Sequence, residues 1–371
     1  MNFRRTKAIA RKELLHILRD TRSLMAALTQ PIMILLLFGY ALSLDVDQVP
    51  AVIFDADHST ESGSLAREFR GSRYFKVVEE TDNYAAIERA MDQRRAMVGV
   101  VIPTDYSENL LQGKAANVQI LLDGTDSNTA SIALGYAEGL VQTYSRRLRE
   151  QGTSKPPPVD ARVRVWYNTD LVSRNYIVPG LIGVITMIIA ALLTSLCIAR
   201  EWENGTMEQL LSTPVRPAEL AMGKLIAYFA LGLTDMLIAM FVGIFIFDVP
   251  LKGSFPLLLL SACVFLFGGL AWGIFISAGY RNQLTAYQMG TFTSFLPAYL
   301  LSGFIYSIAN MPIVIQIIAI FVPARYFINI AKGIFLKGIG LELLWFDLLL
   351  LVGYAVMMFY FAARRLRQKV A

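Results

Sequence analysis

Residues 175–220 read NYIVPGLIGVITMIIAALLTSLCIAREWENGTMEQLLSTPVRPAEL. The first 25 carry no charge, ending at Ala199. A helix that crosses a bilayer needs about 20 mostly apolar residues, so this run is long enough. The character of the chain then changes. Three carboxylates, Glu201, Glu203 and Glu208, come just after the apolar run. Gly205 is expected to break the helix that leaves the span. Thr206 and Gln209 form a T-x-x-Q pattern, predicting a capping box for a new short helix. Met207, Leu210 and Leu211 fall on one face of it by i, i+3, i+4 spacing. Pro214 ends the helix, and Pro217 restarts one at a position where its missing N–H is harmless. The stretch therefore predicts a span, then a short amphipathic helix close to a membrane surface. Such a helix can fit a groove on a soluble partner. A plain solvated turn would need neither the break nor two prolines.

Working outward, other charge-poor stretches obey the same rule. Residues 23–44 are uncharged, as are 253–280 and 282–324, and between Lys224 and Asp248 the one charge is Asp235. The final apolar run, 343–363, holds Asp347 near its start. Six spans are expected, at 24–44, 177–199, 223–247, 257–279, 284–306 and 344–363. Pro312 and Pro323 interrupt the segment after the fifth, because proline breaks or kinks a helix. Residues 307–336 therefore read as short broken helices that re-enter the membrane from one side. The rival reading is an additional full span. The whole 371-residue chain is 55% hydrophobic and 17% charged, with mean hydropathy +0.49. That charge fraction is well below the roughly 25% of soluble domains, and it excludes both an ordinary cytosolic enzyme and a disordered chain. Two cysteines exclude a disulfide scaffold; Cys197 and Cys263 fall within apolar runs as packing residues. No metal site and no catalytic residue is expected.

Lysine and arginine near span ends set orientation. Seven lie in residues 1–22 and four in 364–371. Both termini are thus expected on the cytoplasmic side, which requires an even number of spans. Residues 1–22 also alternate apolar and basic positions, as a helix lying in the headgroup layer does. Its partners there are membrane lipids. Residues 45–175 then form an extracytoplasmic insert with 15 basic and 19 acidic residues, net −4. The remainder of the chain is +9, so its basic excess marks topology and calls for no nucleic acid. The insert alternates element types, with strands near 50–54, 75–78, 97–102, 118–122 and 159–166. Helices are predicted at 59–69, 83–93, 106–112 and from 127 or 128 to 149, with KPPP at 155–158 as a stiff linker. This pattern predicts a compact α/β domain. Asp55, Asp57, Asp123 and Asp126 sit at strand ends, where turn and cap chemistry explains them.

Asp235 lies 11 residues past Lys224, about 16 Å along a helix and so near the bilayer centre. It is a candidate contact for a cationic substrate, or a protonated donor to a neighbouring span. The chain has no G-x-x-x-x-G-K-[ST] phosphate loop; its two Gly-Lys pairs, at 113–114 and 223–224, lack the upstream glycine. Any ATP-driven work must use another polypeptide.

The stretch Glu201, Glu203, Gly205, Thr206, Glu208, Leu210 and Pro214 resembles the E-x-E-x-G-T-x-E-x-L-x-x-x-P signature of ABC-2 type transporter permeases. Lys12-Glu13-Leu14 and Arg19-Asp20 look like that family's surface helix before the first span. Pro31, Phe38-Gly39-Tyr40, Leu301-Ser302-Gly303-Phe304, Met311-Pro312 and Pro323-Ala324-Arg325-Tyr326 continue the likeness. It covers essentially the whole chain and is nearest to bacterial multidrug-export permeases of the daunorubicin-resistance kind. The resemblance implies an α-helical polytopic protein of the inner membrane. Its parts would be a surface helix (1–22), a first span (23–44), the α/β insert (45–175), and five further spans (176–371) with a coupling loop at 200–218. It implies a second permease chain, identical or paralogous, and ABC ATPase subunits that hold ATP and Mg. A periplasmic adaptor is a further candidate partner. A membrane receptor or assembly scaffold with an external ligand-binding domain is the competing reading.

Overall fold

The computed structural model describes residues 2–41, 48–93, 95–124, 127–150, 172–306, 308 and 311–370. It divides into two compact units, residues 44–164 and the remainder. The predicted strand at 159–166 and the 155–158 linker lie outside the described residues.

The larger unit begins with α1 (Phe3–Arg19) and α2 (Thr21–Ala41), the latter with Pro31 inside it. The insert then supplies β1 (Val49–Asp55), α3 (Thr60–Gly71), β2 (Phe75–Thr81), α4 (Tyr84–Asp92), β3 (Val98–Ile102), α5 (Tyr106–Leu111), β4 (Gln119–Leu122) and α6 (Ser127–Glu150). Its sheet has the order β2-β1-β3-β4, with β1 parallel to β2 and β3, and β4 antiparallel to β3. Strand side chains alternate between faces, and both faces here are covered. Ala51, Ile53, Val98 and Val100 pack with Leu65 and Phe69 of α3 and Ala133 and Ala137 of α6. Val52 and Val101, one residue out of phase, pack with Ile87 and Ala90 of α4. This two-sided burial explains why β3 reads VGVVI with no polar residue.

Two of the strand-end carboxylates, Asp55 and Asp57, are spent on turn and cap contacts, and Asp126 lies outside the described residues. Asp55 Oδ1 accepts from the N–H groups of Asp57 and His58 at 3.1 Å, and its Oδ2 accepts from Ser62 Oγ at 2.7 Å. Ser59 caps α3 in a reciprocal box with Ser62. Asp57 accepts from Ser59 Oγ and Ser107 Oγ. Asp55 is engaged with its own loop and cap, as the turn reading expected, while Asp57 also reaches Ser107 of α5.

The larger unit resumes with α7 (Ser173–Ser195), α8 (Cys197–Glu203), α9 (Thr206–Leu211) and α10 (Pro217–Phe241), which a π turn extends through Val242–Ile246. It continues with α11 (Phe255–Ser277), α12 (Gln283–Leu300), α13 (Ile313–Ala319), α14 (Pro323–Lys332) and α15 (Leu341–Val370). Among the described residues four stretches are long and apolar enough to cross a membrane: Ser173–Glu203, Pro217–Ile246, Phe255–Ser277 and Leu341–Leu366. Two bent helix pairs bring the number to six at most: α1 with α2, and α13 with α14 plus the π turn after it, the latter pair bent by 82°. The break before α14 falls at Pro323, as its missing donor requires.

Helix α7 is the centre of this unit. Seventeen of its residues are buried, and α2, α10, α11, α12 and α14 all pack on it. The outer helices carry large apolar side chains on their surfaces, among them Leu37, Phe241, Phe292, Leu349 and Val356. Water would not tolerate such a belt, whereas lipid does. The expected fifth span, 284–306, is shorter than predicted. Helix α12 stops at Leu300, and the chain turns through Gly303 at φ +76°. The turn lets Phe304, 2% exposed, lie against the bare backbone of α7 at Gly180. Gln283, Thr285, Gln288, Thr291 and Thr293 also make α12 polar, and it is not one of the stretches long and apolar enough to cross.

Candidate coupling site

Past the end of α7 the helix is interrupted three times in about 20 residues, before α8, α9 and α10. Helix α7 stops at Ser195, and α8 continues from Cys197. The N–H groups of Ile198 and Ala199 would be orphaned at this new helix start. Ser277 Oγ, from α11, accepts both at 2.9 and 3.0 Å. One helical turn earlier, Thr194 Oγ1 donates to the Leu270 carbonyl of α11 at 2.8 Å. The break is thus fastened to α11 on both sides.

Gly205 then adopts φ +71°, the left-handed region that glycine enters without steric cost. It separates α8 from α9, as the sequence predicted. The predicted capping box does not form. Gly205 itself occupies the cap position, and no side chain caps α9. Thr206 Oγ1 instead donates to the Glu201 carboxylate, and it lies 3.3 Å from the Glu201 carbonyl oxygen. Threonine hydroxyls often turn to nearby acceptors in this way, and here the acceptor is a charged one. Pro214 comes after α9, and Pro217 is the first residue of α10.

The amphipathic face of α9 also points otherwise than expected. Met207 is fully buried, packed among Cys197, Ile198, Leu220 and Leu225. Leu210 is partly buried against the same cluster. The apolar side is therefore an anchor into this chain's own helices. The outward side is polar: Glu203, Asn204, Glu208, Gln209, Ser212, Thr213 and the flanking Pro214 are exposed.

Beneath this loop lies a buried charge cluster that sequence reasoning missed. Lys224, on α10, is 1% exposed. Its Nζ donates to Glu13 Oε1 of α1 at 2.9 Å and to Glu201 Oε1 of α8 at 3.1 Å. Cys197 O lies at 3.4 Å. Lys12 reaches the same two carboxylates at 3.1 and 3.0 Å from a more exposed position. Two cations thus balance two anions, with every charge multiply bonded, which a buried charge requires. Burial alone would raise the Glu13 carboxyl; Lys224 and Lys12 beside it hold it below the usual carboxylate range. The signal in the sequence is Lys224 itself, a lysine at the edge of a charge-poor run.

A second tie flanks the first. Glu219, 1% exposed, accepts from the N–H of Asn2 at 2.6 Å and of Arg216 at 3.1 Å. Arg5 donates to the Pro214 carbonyl and lies 3.9 Å from Glu219. Glu203 Oε2 accepts from the N–H of Gln283, at the start of α12. Helix α1, the short helices α8 and α9, and the long helices α10, α11 and α12 are thereby joined at one end of the unit.

The predicted site residues therefore separate into groups. Lys12, Glu13, Glu201 and Thr206 meet in the cluster. Gly205 makes the turn, Met207 and Leu210 anchor α9, and Glu203 ties it to α12. Glu208 and Gln209 are exposed beside Pro214; the side chain of Leu211 lies outside the described residues. Arg19 and Asp20 end α1 and take no part in the cluster. Asp235 is elsewhere on α10. It is 2% exposed, and neither carboxylate oxygen has a hydrogen-bond partner among the described residues. The cavity beside it, with Pro31, Thr186 and Gly232 in its wall, measures only about 10 Å³, room for one water at most.

The ABC-2 family transporter protein pattern matches residues 23–364. The probable multidrug ABC transporter permease YbhS of Escherichia coli K12 is 37% identical over 359 residues, covering 96% of this chain and 95% of that protein. The probable multidrug ABC transporter permease YbhR of the same strain is 33% identical over 344 residues, with coverage of 92% and 93%. The inner membrane transport permease YhhJ, also of that strain, is 27% identical over 375 residues, with coverage of 95% and 96%. A polytopic helical unit, a glycine-broken loop at the end of its central helix and full-length similarity to these permeases converge on one assignment: the chain belongs to the ABC-2 family of transporter proteins.

Proposed function

We propose that the chain is the permease subunit of an ATP-driven exporter of amphipathic drugs or lipid-like compounds, coupled to its ATPase through the outward face of α9. The observation that carries this reading is the two-sidedness of α9. Its apolar side is fixed into the permease by Met207, while its polar side, with Glu208 and Gln209, is free. A displacement applied at that face passes through α8 to α7 as one body, because Lys224 and Ser277 tie α8 to α1, α10 and α11. ATP and Mg belong to the ATPase subunit. A second permease chain, identical or paralogous, completes the pathway, and an adaptor on the far side is compatible with the α/β insert.

The topology comes from the same reading. In this reading helices α2, α7, α10, α11, α12 and α15 are the six spans, with α12, too short and polar to cross by its own length and hydropathy, crossing against α7, and α13 with α14 re-enters the membrane from the outer side. Both termini and α9 face the cytoplasm, α1 lies on the inner membrane surface, and the α/β insert is extracytoplasmic. The exposed Leu14, Leu15 and Leu18 of α1, beside its arginines, suit a headgroup layer.

Charge reversal tests the docking face. Glu208→Arg leaves Met207 and the Lys224 cluster untouched. A tagged permease carrying it is expected to retain at least about tenfold less ATPase on purification, since like-charge or mismatched contacts cost several kcal/mol at an interface. Undiminished recovery would remove α9 from the interface. Asp235 is proposed as a contact for a cationic substrate once the helices around it separate. Export of a cationic dye should then fall in Asp235→Asn, and unchanged export would end that idea.

A further inference from the structure

A second cavity lies at the opposite end of α7 from the coupling loop. Tyr176 in its wall is 19 residues before Ser195, about 29 Å along the helix. Helices α7, α14, α15 and the 301–304 turn enclose about 650 Å³ there. We propose that this cavity binds the anionic head of an amphiphile, a phosphate or carboxylate carried on an apolar tail, with Lys332 as counter-charge and Ser302 as hydrogen-bond donor.

The charge in the cavity is unbalanced. Lys332 Nζ sits 3.4 Å from the centroid of the Tyr176 ring and 3.3 Å from the Gly303 carbonyl oxygen. Tyr176 Oη donates to that same carbonyl at 3.3 Å. An ammonium has three donors and needs an anion when it is taken from water. Among the described residues no carboxylate lies within ion-pair distance of it. Asp347, the carboxylate in the wall, is engaged by Asn329 Nδ2 at 2.5 Å. Arg325 adds a second cation, so the lining has net charge +1.

Ser302 is an independent observation. It is 3% exposed, lines the cavity, and its Oγ has no hydrogen-bond partner among the described residues. A buried hydroxyl without a partner is unfavourable, and an anionic oxygen would satisfy it and Lys332 together. Ile308, Ile320, Ile328, Phe346 and Leu350 make most of the remaining wall apolar. Phe346 and Ile320, each about half exposed, carry it onto the outer surface of the helical unit. A bare anion would leave that surface unused, and a neutral apolar compound would leave Lys332 uncompensated. A charged head with a tail uses both. The topology proposed above places the cavity at the extracytoplasmic headgroup layer, where an exported amphiphile leaves; binding itself does not depend on that placement.

Native mass spectrometry of the full chain purified with its ATPase, titrated with dihexanoylphosphatidylglycerol, tests the proposal. Dihexanoylphosphatidylcholine and inorganic phosphate are the comparison ligands. The wild type is expected to bind the glycerol lipid about tenfold more tightly than the choline lipid, which corresponds to about 1.4 kcal/mol. Lys332→Gln should abolish the preference and Lys332→Arg should keep it. Ser302→Asp, which puts a carboxylate in the same cavity, should also abolish it, and an unchanged elution volume shows that each variant is folded. Equal binding of the two lipids, or a preference that survives both Lys332→Gln and Ser302→Asp, overturns the proposal. Competition by inorganic phosphate at equal concentration would also overturn it, because the site would then take anions without a tail. ATPase recovery is read in the same samples, so failure here is distinguishable from failure of the coupling assignment.

Discussion

Lys224→Met is expected to destabilise the protein by about 3–5 kcal/mol, the range for breaking a buried ion pair from one side. The side chain is 1% exposed and bridges Glu13 and Glu201. Methionine fills much the same volume but leaves two carboxylates packed together, with only the half-exposed Lys12 between them. Helix α1 should detach from α10, and α8 should lose its tie to both. Export and ATPase recovery should fall together. The triple variant Lys224→Met, Glu13→Gln, Glu201→Gln removes both stranded carboxylates and leaves only the half-exposed Lys12, which water solvates, so it should recover most of the stability. A thermal aggregation series on the purified complexes reads both steps. A single variant as stable as wild type would mean that the cluster does not hold these helices.

Gly273→Val is expected to have an effect of comparable size by steric means. A Cβ at position 273 would overlap Thr194 Oγ1, stand 2.7 Å from the Ala191 carbonyl oxygen and 3.1 Å from the Ser195 nitrogen. Two of these are backbone atoms and cannot swing aside. Overpacking typically costs about 1–3 kcal/mol, and rigid neighbours place this case at the upper end. The consequence is local as well. Helices α7 and α11 would be pushed apart at the point where Thr194 and Ser277 fasten the break, so the path from α9 to α7 would loosen. ATPase should still co-purify, because the outer face of α9 is untouched, while its activity should no longer respond to substrate. Substrate-responsive ATPase in this variant would show that the α7–α11 seam does not carry the signal.

The insert was the most legible part of the sequence. Its strands alternate with helices in short runs that Gly, Pro and Asp punctuate, and each run has one dominant period. Every described element lies within a few residues of its expected place, and Ser59 caps α3 as read. The long apolar helices were legible as existence, not as ends. Charge marks where a helix may leave lipid, but α12 stops where Phe304 finds the backbone at Gly180, a contact between residues over 120 positions apart. The coupling loop was half legible. Gly205 and the two prolines fix breaks through backbone geometry alone, so they could be read locally. Thr206 could not, because its hydroxyl chooses between a local cap and the Glu201 carboxylate brought beside it by the turn. The direction of α9 was equally hidden. An amphipathic pattern says that one side is buried without saying against what, and here Met207 turns inward to this chain's own helices. Lys224 was invisible for a similar reason. A lysine at the edge of an apolar run normally marks an aqueous boundary; only the folded arrangement, with Glu13 more than 200 residues away, makes it a buried bridge.

The central claim is that the polar face of α9 meets the ATPase while its apolar face stays within the permease. Cysteine cross-linking measures this directly. In a background lacking Cys197 and Cys263, single cysteines at Glu208, Gln209 and Met207 are labelled in the purified complex with benzophenone-4-maleimide, whose photolysed carbonyl inserts into a neighbouring C–H bond and so needs no thiol on the partner. The account predicts a cross-linked band containing the ATPase subunit from Glu208→Cys and Gln209→Cys, and none from the buried Met207→Cys. An ATPase cross-link from Met207→Cys with none from the two exposed positions would contradict it.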